Sequence, residues 1–112
     1  IAKELSDDQI DGLAIYYSEL KFVAAKQTFD PKLAKLGEKL HKNRCIKCHD
    51  EGGSLADDDA GILAGQWRPY LESTFVHFKQ GERDSEKEMN KKIKKLSPKQ
   101  IDSLLHYYAS QQ

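Results

Sequence analysis

Cys45-Ile46-Lys47-Cys48-His49 is the stretch on which the reading of this chain turns. Two thiols separated by two residues, with an imidazole directly after the second, serve few purposes. A structural zinc site needs four ligands at suitable spacing. These are the chain's two cysteines, and no further ligands follow at such spacing. A redox dithiol of the thioredoxin kind sits among strands, and none are evident. A disulfide framework is excluded, because both cysteines lie in one short stretch. What remains is the C-x-x-C-H pattern of c-type haem attachment. Thiols this close can add to the two vinyl groups on one haem edge, and the adjacent imidazole is then held beneath the iron. The expected cofactor is therefore one covalent haem c, anchored by Cys45 and Cys48, with His49 as a metal ligand.

Outward from the motif, the periodicity is helical. Asp30-Pro31 reads as an N-cap followed by a proline at the first helical position. Leu33, Leu36 and Leu40 continue an apolar stripe toward Cys45, so a rigid helix delivers the thiols. A second helix begins near Pro69, carries Leu71, Phe75 and Phe78, and ends at Gly81. A third begins at Ser97-Pro98, with Gln100 closing a capping box and Ile101, Leu104, Leu105 and Tyr108 as its stripe. A fourth lies before the motif. It is capped by Ser6 and Gln9 and striped by Ile10, Leu13, Tyr17 and Leu20. Two long segments, 50–66 and 82–96, read as loops that would wrap the two faces of a flat cofactor. The expected fold is all-α.

The first and last of these helices repeat one another. Leu5-Ser6-Asp7-Asp8-Gln9-Ile10-Asp11-Gly12-Leu13-Ala14-Ile15-Tyr16-Tyr17 matches Leu96-Ser97-Pro98-Lys99-Gln100-Ile101-Asp102-Ser103-Leu104-Leu105-His106-Tyr107-Tyr108 in register at Leu, Ser, Gln, Ile, Asp, Leu, Tyr and Tyr. If the second copy closes a haem domain, the first is expected to close an earlier one. The expected division is residues 1–24 as an N-terminal helix and linker ending a preceding domain, and 25–112 as a monohaem domain. The chain begins at Ile1 rather than Met, which reads as processing or truncation.

Composition agrees with a stapled small domain. Of 112 residues only 38% are hydrophobic and 32% are charged, so a covalent haem would supply apolar area that the side chains lack. The formal net charge is zero, which gives no reason to expect nucleic acid or an anionic membrane as partner. No apolar run is long enough for a transmembrane helix.

The iron needs a sixth ligand. Met89 is the sole methionine, in the second long segment, and a thioether there raises the reduction potential and favours electron transfer over oxygen chemistry. The competing ligands are His41, His77 and His106. His41 precedes Cys45 on the same helix and is poorly placed for the far face, whereas His77 and His106 read as partly exposed surface histidines. Gln66, Trp67, Arg68 and Tyr70 are candidates to bond the haem propionates, equally readable as core packing with a solvated arginine. Lys87, Lys91, Lys92, Lys94 and Lys95 surround Met89 and make either a solvated face or a docking patch for an acidic partner. Asp57, Asp58 and Asp59 form an opposing acidic cluster.

The chain resembles the class I cytochromes c, and among them the second domain of dihaem cytochromes such as the cytochrome subunit of flavocytochrome c sulfide dehydrogenase. The residues that carry this are Cys45 to Gly53, Ile62-Leu63-Ala64-Gly65-Gln66-Trp67-Arg68-Pro69-Tyr70-Leu71, Gly81-Glu82-Arg83 with Met89, and the closing Tyr107-Tyr108-Ala109-Ser110-Gln111-Gln112. Lys21 to Gln27 is similar to the linker between the two domains of that family. The resemblance implies a small class I cytochrome c domain around one haem, with an extra N-terminal helix. It implies single-electron transfer by a carrier or a cytochrome subunit of a periplasmic, bacterial redox system such as sulfur oxidation, rather than an enzyme in its own right. The implied partner is a redox protein, a flavoprotein dehydrogenase or a terminal oxidase, and a second copy of the chain is a candidate partner for the N-terminal stripe. Two departures stand out. Gly61 occupies the place of a proline whose carbonyl would accept the bond from the proximal histidine, and Ser85 that of a first methionine in the distal loop. A haem enzyme or small-molecule sensor with an open or weakly held distal site is the alternative, and Met89 is the residue that separates the two.

Overall fold

In the computed structural model, which describes residues 2–56 and 60–112, the chain is all-helical, with no strand among the described residues. The expected acidic cluster at Asp57, Asp58 and Asp59 lies outside the described residues. Helix α1 spans Asp7–Glu19, α2 Pro31–Arg44, α3 Arg68–Gln80, α4 Lys87–Lys94 and α5 Pro98–Ala109, with short 3-10 turns at Ala2–Glu4 and Glu51–Gly53.

The start and stop signals act as their chemistry dictates. Asp30 accepts from the backbone N–H groups of Lys32 and Leu33, satisfying two donors that α2 would leave free. Ser6 and Ser97 each accept from the N–H three residues on, while Gln9 and Gln100 reach back to the serine N–H. Gly81 ends α3 in the left-handed region that a side chain would resist. Helix α4 lies inside the segment expected to be a loop. Five of its eight residues are charged, which hides its periodicity. What holds it is Ile93, buried at the junction with α3.

The centre of the molecule is the crossing of α2 and α5. From α5 it takes Leu104, Leu105, Tyr107, Tyr108 and Ala109, which join Leu71 of α3 and Leu96 in the core. From α2 it takes Ala34, Gly37 and His41, whereas Leu33 and Leu40 are half-buried and Leu36 is exposed. The stripe expected on α2 is thus displaced toward its small residues. The reason is distance: a Cβ on Gly37 would run into the Ser103 carbonyl, so the helices meet backbone to backbone. Helix α1 contributes nothing to this core, and none of its residues is buried.

Candidate haem site

The haem motif occupies the end of α2 and the turn after it. Cys45 caps the helix, its N–H donating to the His41 carbonyl, and the Cys48 and His49 N–H groups both turn back to the Cys45 carbonyl. This folded turn brings two free thiols and one imidazole onto a single loop of backbone. Cys45 is half-buried, Cys48 is exposed, and His49 is 8% exposed.

His49 carries the test of whether a haem fits. Its Nδ1 is buried without a hydrogen-bond partner. Burial pushes the imidazole pKa down and the nearby Gly61 carbonyl pulls it back up, with burial prevailing. Gly61 therefore faces the ring, as its place in the sequence leads one to expect, though short of a well-formed bond. A neutral buried imidazole beside two unpaired thiols is the donor set that a c-type haem uses, and the residues present fit that group.

Helix α4 packs on α3 and lies within electrostatic range of this turn. Lys92 acts electrostatically on the Cys45 thiol, and Lys47, inside the motif, on Glu88. Met89 stands between those two α4 residues in the first turn of the helix and is half-buried. The lysines around it are all exposed, and Lys91 pairs with Glu88 at 2.7 Å.

The remaining histidines are otherwise engaged. His41 is 1% exposed, its Nδ1 3.0 Å from the Tyr108 hydroxyl. His77 is exposed, 3.8 Å from Glu82. His106, expected at the surface, is instead buried: its Nδ1 accepts from the Asp30 N–H at 2.8 Å, and Arg68 Nη1 and Asp102 Oδ1 flank Nε2 at 3.1 and 3.7 Å. This network holds the 21–29 segment to the domain. Gln27 donates to the Gln66 carbonyl and accepts from the Arg68 N–H, and the Ala25 N–H donates to the Gly65 carbonyl. Arg68 and Gln66 thus tie down the linker, while Trp67 and Tyr70 are exposed and Arg83 holds the Tyr70 hydroxyl below its usual range. Sequence reasoning passed over Tyr108 as one more core aromatic. That its hydroxyl lies 3.0 Å from the His41 Nδ1 is visible in three dimensions alone.

The family model described as cytochrome c oxidase, cbb3-type, subunit III matches residues 32–107. Among solved structures the chain is similar to reduced recombinant cytochrome c4 from Pseudomonas stutzeri, at 29% identity and a TM-score of 0.76 over 98% of this chain. It spans 63% of that protein's length. It shares its fold with cytochrome c4 of Acidithiobacillus ferrooxidans, at 24% identity and a TM-score of 0.73, over 97% of this chain and 68% of that one. No curated protein sequence matches the chain.

Proposed function

Because the chain belongs to the family of the cbb3-type oxidase subunit III model, within the class I cytochromes c, it transfers single electrons through a covalent haem c, and we propose that Cys45, Cys48, His49 and Met89 hold that haem. The observation that carries the assignment is the turn at the end of α2, which holds two free thiols and a buried imidazole with an unpartnered nitrogen. The haem iron supplies the one-electron capacity. The chain supplies the rest: α2 fixes the thiols, burial keeps His49 neutral and available to a metal, and α4 carries a soft sulfur ligand. With a haem bound, a thioether and an imidazole as its ligands would favour the reduced state and disfavour binding of small molecules.

Residues 25–112 form the haem domain in this reading, and residues 1–24 end a preceding cytochrome domain. Two observations support it: the sequence repeat between α1 and α5, and the contrast in their surroundings. Leu104, Tyr107 and Tyr108 of α5 are buried on α2, while the matching Leu13, Tyr16 and Tyr17 of α1 are exposed. The setting is the bacterial periplasm. The partner is a redox protein, a flavoprotein dehydrogenase or terminal oxidase, that meets the lysines of α4 through an acidic surface.

The test is expression with the c-type haem maturation machinery. One haem per chain should survive denaturation and acid extraction. Replacing both cysteines by alanine should leave none covalently bound. A wild-type chain that releases its haem on extraction would overturn the assignment.

A further inference from the structure

Helix α4, which carries the proposed sulfur ligand, has little of its own to hold it. Of its eight residues five are charged and only Ile93 is buried. A helix this short does not persist in water without packing. Its packing partner is α3. Lys79, one residue before the end of α3, reaches across, and its Nζ donates to the Leu96 carbonyl at 2.6 Å in a partly buried position. Among the described residues this is the one side-chain hydrogen bond that enters segment 85–96 from outside it. The others there, from Ser85, Asn90 and Lys91, stay inside the segment.

The Leu96 carbonyl is one that neither neighbouring helix uses. Helix α4 ends at Lys94, and the first bond of α5 goes to the Ser97 carbonyl. The Leu96 side chain is buried, so its backbone stands at the edge of the core, where a carbonyl without a donor is costly. An ammonium supplies a strong, charge-assisted bond there. Leu96 in turn donates its N–H to the Ile93 carbonyl, so the two buried residues form one turn. Met89 lies four residues before Ile93 and shares its face of α4. Whatever fixes the Ile93–Leu96 turn therefore fixes how α4 is rotated about its axis, and where the Met89 sulfur is presented.

We propose that Lys79 is a positioning residue for Met89: its bond to the Leu96 carbonyl holds α4 on α3 and so keeps the thioether on the haem iron. The inference rests on Met89 as the axial ligand. Without the bond α4 shifts more readily, and the sulfur leaves the iron more often.

The measurements use the holoprotein. In oxidised protein at saturating imidazole, a neutral probe, loss of the thioether limits the binding rate. Lys79→Met keeps the aliphatic stem and removes the donor. It should raise that limiting rate about tenfold, the weight of one charge-assisted bond at a partly open site. Lys79→Arg, which restores a charged donor, should return the rate most of the way. Lys87→Met and Lys94→Met remove a charge but no such bond, and should leave the rate unmoved. In the wild type, NMR should find the Lys79 ammonium slow to exchange its protons and coupled through the bond to the Leu96 carbonyl carbon. A freely rotating, fast-exchanging ammonium overturns the proposal, and this needs no variant to fold. So does a Lys79→Met protein whose denaturant midpoint falls while the limiting rate stays put, or a Lys79→Arg protein no slower than Lys79→Met. A wild-type protein without the red-end sulfur-to-iron absorption band would instead overturn Met89 as the ligand, and this proposal with it.

Discussion

Met89 and His49, the proposed metal ligands, differ in what surrounds them. His49 is held by a hydrogen-bonded turn and buried. Met89 is half-buried near the start of an eight-residue helix. A ligand on so short an element is the easier to lose. Met89→Ala should abolish the weak red-end sulfur-to-iron absorption band of the oxidised protein, lower the potential and open the iron to carbon monoxide. A spectrum unmoved by the substitution would point to another ligand and favour the sensor or enzyme reading. Gly61 stands where a proline would stiffen the carbonyl facing His49. Gly61→Pro should narrow the conformations of that loop and slow haem-ligand exchange, read as the rate of cyanide binding to the oxidised protein.

At the scale of elements, the α2–α5 crossing is the joint that holds the domain together. Gly37 admits the Ser103 backbone, so Gly37→Ala should destabilise the domain by about 1–3 kcal/mol, seen in the denaturant midpoint. The two capping boxes offer an internal comparison. Ser97→Ala removes the cap of a buried helix and should cost about 1 kcal/mol of domain stability. Ser6→Ala removes the same cap from an exposed helix and should leave domain unfolding unmoved, changing only the helical signal of α1. Equal losses in both variants would show that α1 is coupled to the core. Both caps are legible in the sequence, because Ser-x-x-Gln is local chemistry. Helix α4 is not, because its single buried anchor, Ile93, is recognisable as such only once α3 is in place.

The whole molecule is longer than a compact domain. Its Cα radius of gyration is 15.4 Å, where a packed chain of this length would have about 13 Å, and its extents are 47 × 29 × 23 Å. The difference fits an α1 with no buried residue. Ile10, Leu13, Ile15, Tyr16, Tyr17 and Leu20 are all exposed, Tyr17 at 65%. An apolar face of this kind draws a partner. The chain should therefore self-associate with rising concentration in analytical ultracentrifugation, and removal of residues 1–20 should give a monomer with the same haem spectrum. The cut spares Ala24 and Ala25, which are fastened at Gly65. A truncated chain that loses haem would show that α1 belongs to the domain.

What the sequence determined by itself is whatever depends on neighbours along the chain. The thiol spacing of Cys45 and Cys48, the imidazole after them, the Ser, Asp and Pro starts and the Gly81 stop all act within a few residues, and each reads directly. Tertiary structure decided what depends on approach in space. Leu36 lost its expected place in the core to Ala34 and Gly37, because α5 comes too near for a larger side chain. His106 turned inward because a backbone N–H from Asp30, far off in sequence, met its Nδ1. The bond between His41 and Tyr108 spans 67 positions. No periodicity can announce such a pairing, because it exists only where two helices cross.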